Sequence, residues 1–202
     1  MITHSNQSNM NDLLINPNGV IEQASLKLSP NRDSWPDQTT INLVVIHGIS
    51  LPAGIFGGEA ITQLFLNQLD CSADSEFSPL DGLRVSSHLL IDRYGQLTQF
   101  VPFTERAWHA GRSTWQGQPN CNDFALGIEL EGADRVAYTP CQYNRLIAVL
   151  IELMATNPAI TEQRIVGHSQ IAPGRKTDPG PAFNWPALQR RLRAEKATLQ
   201  AT

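Results

Sequence analysis

From Ile41 the chain reads Ile-Asn-Leu-Val-Val-Ile, apolar and β-branched almost without interruption, the pattern of a strand buried on both faces. The run stops at His47-Gly48. Beyond the glycines Gly54, Gly57 and Gly58, residues 59–69 place Ile61, Leu64, Phe65 and Leu69 at helical spacing. Two further strands, about 85–92 and 96–101, flank Arg93-Tyr94-Gly95, which reads as a hairpin turn. Residues 124–130 form another apolar strand, followed by the polar Glu131-Gly132-Ala133-Asp134. Pro140 then opens a helix with Leu146, Ile147, Leu150, Ile151 and Met154 on one stripe, and Asn157-Pro158 ends it. Residues 164–166 predict a short last strand running into Gly167-His168. Residues 173–186, rich in Pro and Gly, read as a loop, and a charged helix over about 186–199 follows. Helices interleaved with strands, one pair of them a hairpin, predict a mixed α/β fold in which helices flank a central mixed β-sheet. Residues 1–18, rich in Asn and Ser, are expected to be a flexible tail, with one domain over 19–202.

Composition narrows the class. The chain has 202 residues, 41% hydrophobic and 17% charged, the latter below the ~25% average, so it is neither a disordered acidic polymer nor a coiled coil. A net charge of −4 and a pI of 5.7 argue against bulk binding to nucleic acid or an anionic membrane. No stretch approaches the ~18 apolar residues of a membrane span, and the first residues lack the basic and apolar regions of a signal peptide. Cys71, Cys121 and Cys141 are odd in number, widely spaced and without a C-x-x-C pair, which disfavours a disulfide framework or a Cys-rich zinc site. The expectation is a reduced, cytoplasmic, monomeric protein.

The candidate chemistry sits at strand ends. His47 and His168 each directly follow a buried apolar strand, where rigid structure presents side chains to a cleft. Asp178 follows His168 by ten residues within Gly174-Arg175-Lys176-Thr177-Asp178-Pro179-Gly180. Two imidazoles and a carboxylate make a three-ligand set with a fourth position open to water, the form of catalytic zinc. Against this, a histidine near a strand end is more often a hydrogen-bonded structural residue, and an Asp before Pro-Gly is more often a turn former. By residue type His88 and His109 are also admissible ligands; His88, inside an apolar strand, reads as a packed core histidine, and His109 is left between a cleft wall and a packed position. Glu129 lies within the apolar run Ala125-Leu126-Gly127-Ile128-Glu129-Leu130, where a carboxylate is costly unless partnered, so it is a candidate for a raised pKa and acid–base work. Glu131 shares its face of the strand, and one of the two reads as the strand's solvated end. Lys176 is a candidate to place an ammonium beside a developing oxyanion, with a solvent-exposed loop lysine as the plainer reading.

These residues match a known family. Val45-Ile46-His47, Ser87-His88-Leu89-Leu90-Ile91-Asp92-Arg93-Tyr94-Gly95, Ala107-Trp108-His109-Ala110-Gly111, Gly127-Ile128-Glu129-Leu130-Glu131-Gly132 and the long run from Gly167-His168-Ser169 to Thr177-Asp178-Pro179-Gly180 resemble the zinc N-acetylmuramyl-L-alanine amidases. The likeness spans about residues 40–186 and is nearest to the cytoplasmic type that cleaves anhydro-muropeptides in cell-wall recycling. It implies one catalytic Zn²⁺ held by His47, His168 and Asp178, with Glu129 as catalytic carboxylate and Lys176 stabilising the transition state. It further implies that Trp108 and Arg84 contact the substrate, an anhydro-muropeptide. Gly48 stands where this type usually has Asn, and Asn120 where an Arg can contact substrate. Two other readings compete: a catalytically inactive peptidoglycan-binding module of the same fold, and a Cys-His amidase using Cys121, His109 and Asn122.

Overall fold

The computed structural model describes residues 13–200. In chain order its strands and first helix are β1 (Ser25–Leu26), β2 (Arg32–Ser34), β3 (Leu43–Ile49), α1 (Ala60–Phe65), β4 (Leu89–Ile91), β5 (Leu97–Gln99) and β6 (Glu105–Ala107). There follow β7 (Thr114–Trp115), β8 (Gln118–Pro119), β9 (Ala125–Glu131), α2 (Pro140–Thr156), β10 (Ile165–Gly167), α3 (His168–Ile171) and α4 (Trp185–Gln200).

Six strands form the central sheet in the order β1-β5-β4-β9-β3-β10. It is mixed, as expected: β4 and β5 pair antiparallel across the hairpin, and the other neighbours are parallel. β3 and β9 run side by side for their full length, from Leu43 opposite Ala125 to Ile49 opposite Glu131. Their continuous apolar character reflects burial on both faces. Val44, Ile46, Leu126, Ile128 and Leu130 point to the face covered by α2 and α4, where they pack with Leu146, Leu150, Leu188 and Leu192. Leu43, Val45 and Ala125 point to the other face, among Ala110, Cys121, Phe124 and Ile171. Strand alternation therefore sends His47 and Glu129, directly opposite each other, to that second face. A third cluster joins α1 to Phe100 and Val101.

α2 begins with a complete capping box. Thr139 Oγ1 accepts from Gln142 N–H (3.1 Å), the Gln142 side chain accepts from Thr139 N–H (3.0 Å), and Pro140 stands at the first turn. The sequence spacing located this helix closely, although Ile151 and Met154 are only half-buried at the edge of its stripe.

Other expectations need correction. The helix expected over 59–69 is cut to one and a half turns, because Asn67 adopts φ +59°. The strand expected from residue 85 is reduced to β4, since Ser86 and Ser87 direct their hydroxyls to Asn31 O (2.6 Å) and Gly127 O (2.8 Å). Of the expected tail, residues 1–12 lie outside the described residues. Residues 13–18 are not loose: Leu13 is buried, Ile15 bridges to Ile21, and Ile21 N–H donates to Gln99 Oε1 at 2.8 Å. Two apolar side chains seated in the core fix a segment whose composition alone reads as disordered.

Candidate metal centre

His47 lies inside β3 rather than after it, and His168 opens α3 where β10 ends. The parallel pairing of β10 with β3 sets the two imidazoles side by side at one end of the sheet. The loop after α3 returns beneath them, held by Ser169 N–H donating to Asp178 O (3.0 Å). Gly167 permits the return, because a Cβ there would lie 2.9 Å from Pro179 Cδ.

The result is a tight cluster. His47 Nδ1 is 2.9 Å from His168 Nδ1 and 3.2 Å from Asp178 Oδ2, and His168 Nδ1 is 3.1 Å from the same oxygen. Both histidines are buried and Asp178 is half-buried. The outer ring nitrogens decide the tautomers. His168 Nε2 lies 3.2 Å from the carbonyl of Ala110 and 3.4 Å from Arg175 Nη2; the carbonyl is the nearer, and a proton on Nε2 satisfies it. His109 Nε2 faces Ala125 O at 3.0 Å and is protonated for the same reason, which leaves His109 Nδ1 to accept from His47 Nε2–H at 2.9 Å. With those tautomers His47 and His168 both turn Nδ1 lone pairs toward the Asp178 oxygen. Three lone pairs converging in a buried site with no proton between them is the arrangement a cation satisfies.

The electrostatics agree. Burial pushes the His47 pKa down to about 4, overcoming the contact with Asp178, and pushes His109 well below the ordinary histidine value. For Asp178, burial acts upward, yet His168 and His47 against it hold the carboxyl well below its usual range. In neutral solution His47 is uncharged and Asp178 is a carboxylate.

Glu129 stands across from His47 in the β3–β9 register and its Oε2 is buried with no hydrogen-bond partner among the described residues. Burial raises its pKa well above the ordinary value, Asp178 adds to the rise, and Lys176 opposes it. Lys176 is exposed and acts at a distance: its ammonium bears electrostatically on both Glu129 and His47. Arg84 is exposed on the loop before β4, its guanidinium reaching, among the described residues, only its neighbour Leu83 O at 3.5 Å. Trp108 is half-buried, anchored through its backbone N–H to Ser86 Oγ (3.1 Å), with its indole on the side of Asp33, whose carboxyl Arg106, helped by this indole, holds below the ordinary value. His47, His168 and Asp178 are thus brought together, with Glu129 and Lys176 near them; Arg84 and Trp108 make no hydrogen bond to the cluster.

His88 is a packed histidine, as its strand context indicates: Nδ1 accepts from Gly127 N–H (3.0 Å) and Nε2 donates to Glu105 O (3.0 Å). Glu131 is not a solvated strand end. It is buried and its two oxygens accept from the backbone N–H groups of Gly57 and Arg93, tying the glycine loop before α1 to the sheet. The Cys-His reading fails on geometry. Both His109 nitrogens are engaged, Asn122 Oδ1 accepts from the backbone of His109 and Ala110, and burial pushes the Cys121 thiol up, away from thiolate chemistry.

Sequence reasoning missed Tyr138. Its ring lies between two glycines, where a Cβ on Gly48 would come 2.3 Å from the phenol oxygen and one on Gly132 would come 2.3 Å from Cε1. Its hydroxyl donates to Pro179 O at 2.9 Å, supporting the residue next to Asp178. The signal was a glycine in each of two positions at strand ends, which marks close approach of another group.

Sheet and cluster together place the chain. The profile of the family described as N-acetylmuramoyl-L-alanine amidase matches residues 37–181, and the chain belongs to that family. Among its relatives are proteins of the AmpD type. It is 50% identical over 171 residues to the 1,6-anhydro-N-acetylmuramyl-L-alanine amidase AmpD of Salmonella typhimurium, covering 85% of this chain and 91% of that protein. A crystal structure of a selenomethionine AmpD derivative superimposes with a TM-score of 0.85 at 48% identity, covering 89% of this chain and 99% of that one. The Escherichia coli amidase AmiD, solved in complex with anhydro-N-acetylmuramic acid-L-Ala-D-γ-Glu-L-Lys, is 30% identical with a TM-score of 0.56, covering 77% of this chain and 60% of that one.

Proposed function

We propose that this protein is a zinc-dependent 1,6-anhydro-N-acetylmuramyl-L-alanine amidase of cell-wall recycling. It hydrolyses the amide between the lactyl carbonyl of the anhydro-sugar and L-Ala of the stem peptide. The observation that carries this reading is the convergence of His47 Nδ1, His168 Nδ1 and Asp178 Oδ2 within 3.2 Å of one another, with the buried, unpartnered Oε2 of Glu129 on the same face of the sheet. His47, His168 and Asp178 would hold the ion, and two nitrogens with one oxygen suit zinc with a position left open. Zinc there supplies Lewis acidity, making water a better nucleophile at neutral pH and polarising the scissile carbonyl.

The chain's own groups do the rest. Glu129, as the carboxylate beside the ion, takes a proton from the attacking water and returns it to the leaving amine of L-Ala. Lys176 sets a positive charge against the negative charge that develops on the carbonyl oxygen, a contribution of roughly 3–4 kcal/mol when such a donor is well placed. Arg84, exposed and without a strong partner among the described residues, takes a substrate carboxylate, and half-buried Trp108 offers an aromatic face. Three free cysteines suit the reducing cytoplasm, and no helix among the described residues is long and apolar enough to cross a membrane. All the proposed catalytic groups come from one chain, so a monomer suffices.

The test is mass spectrometry of an anhydro-muropeptide incubated with zinc-loaded and chelated protein. Stem peptide released only with zinc supports the reading. His168→Ala is expected to lose zinc and turnover together, whereas Glu129→Ala keeps zinc and loses turnover. Turnover retained by Glu129→Ala overturns the proton-transfer role, and no peptide release by the zinc-loaded wild-type protein leaves a binding module instead.

A further inference from the structure

The outer nitrogens of both ligand histidines are held by two consecutive residues. His47 Nε2–H donates to the side chain of His109 (2.9 Å), and His168 Nε2–H donates to the backbone carbonyl of Ala110 (3.2 Å). That dipeptide is itself pinned. One side-chain oxygen, Asn122 Oδ1, accepts from both backbone N–H groups, of His109 at 3.0 Å and of Ala110 at 2.7 Å. The Arg175 guanidinium donates to Ala110 O at 2.6 Å and to Arg112 O at 2.8 Å. The His109 ring stands edge-on to His47, with centroids 5.1 Å apart at 83°, and its Nε2–H is anchored on Ala125 O. It lies so close to β9 that a Cβ on Gly127 would fall 2.4 Å from its Cγ.

We infer that His109-Ala110, clamped by Asn122, is a positioning strut that fixes the tautomer and ring orientation of both imidazole ligands. The inference rests on the metal-site reading above and deepens it: His109, Ala110 and Asn122 become determinants of metal affinity although none is a ligand. A histidine ligand whose other N–H meets a fixed acceptor presents its lone pair in one direction, and losing such a partner typically weakens metal binding 10–100-fold. Here the acceptor for His47 is an uncharged imidazole rather than the commoner carboxylate. The strut therefore orients His47 without adding negative charge to a site that already holds Asp178 and Glu129.

The measurement is the Zn²⁺ dissociation constant, obtained by competition with a chromogenic chelator, alongside the melting temperature of each metal-free protein. Two substitutions at one position separate the two hydrogen bonds of the ring. His109→Asn places an amide oxygen where Nδ1 accepts from His47, whereas His109→Gln reaches Ala125 O and leaves His47 without its acceptor. His109→Gln is expected to weaken Zn²⁺ binding 10–100-fold and His109→Asn to stay within about threefold of wild type. At the clamp, Asn122→Asp keeps an acceptor oxygen and retains affinity, and Asn122→Leu loses it. In long-range ¹H–¹⁵N spectra of the zinc-loaded protein, the His47 Nε2–H signal survives in His109→Asn and shifts or vanishes in His109→Gln. Equal affinity in both His109 variants overturns the inference. So does equal weakening of both in step with metal-free melting temperature, which marks a packing role only. A wild-type protein that binds no Zn²⁺ overturns the metal reading itself, before any variant is compared.

Discussion

Gly48→Ala tests how Tyr138 supports the metal loop. Gly48 lies in β3 next to His47 and its backbone is not in the left-handed region, so the substitution meets no conformational penalty. Where space allows, replacing Gly by Ala stabilises by about 0.4–1 kcal/mol through the unfolded chain. Here the new methyl would sit 2.3 Å from the Tyr138 hydroxyl, which is buried and fixed on Pro179 O. Overpacking of this kind costs about 1–3 kcal/mol. At roughly 2–4 °C per kcal/mol for a chain of this size, the melting temperature falls by roughly 2–12 °C. Tyr138→Phe alone removes one hydrogen bond, about 1 kcal/mol. With the oxygen gone, the next neighbours of the methyl are Pro179 Cα at 3.4 Å and Tyr138 Cζ at 3.6 Å, ordinary contacts. The double variant is therefore expected to melt no lower than Tyr138→Phe, an interaction term of about 1–3 kcal/mol in the cycle. Gly132→Ala is the control, because its methyl would meet Cε1 at 2.3 Å and Tyr138→Phe leaves that carbon in place. Thermal melts of the single and double variants followed by circular dichroism read the cycle. A Gly48→Ala loss that persists undiminished in the Tyr138→Phe background refutes the contact.

Glu129 makes the metal-free protein sensitive to base. Its raised pKa means that the folded state binds more protons than the unfolded one above the ordinary carboxyl range, so its contribution is full at low pH and is lost as pH rises. Asp178, depressed, contributes oppositely, and its share is lost as pH falls below the ordinary range. Glu129→Gln should therefore reduce the drop in melting temperature of the chelated protein between about pH 5 and about pH 8, and an unchanged drop refutes the shift. A thiol alkylator should label exposed Cys141 and spare buried Cys121 in the native protein, with turnover unchanged; loss of turnover would restore the cysteine mechanism. Arg84→Ala is expected to raise KM more than it lowers kcat, and an unchanged KM removes it from the substrate contacts.

The parts of this fold legible in the sequence are those governed by local pattern. β3, β9 and α2 announce themselves through unbroken apolar runs or a capped stripe, and the hairpin through Arg93-Tyr94-Gly95. Strand ends likewise pointed to His47 and His168, and the cost of a carboxyl in an apolar run pointed to Glu129. The strands of two or three residues, such as β1, β2, β7 and β8, carry too few positions for any period to show. Partnerships across the sheet were equally silent. His109 could not be assigned without knowing that Ala125 O claims one nitrogen and His47 the other. One of Glu129 and Glu131 read as a solvated strand end because the backbone donors that hold Glu131, of Gly57 and Arg93, come from loops distant in sequence.

Along the chain, 131 residues separate His47 from Asp178. Synthesis proceeds at about 5–20 residues per second, so the first of the three donors waits roughly 7–26 s for the last to be made. Until then a ribosome-bound chain offers zinc a solitary imidazole, a weak hold shared by countless other proteins. Assembly of the three-donor cluster is thus deferred until β3, β9 and β10 can all be laid side by side.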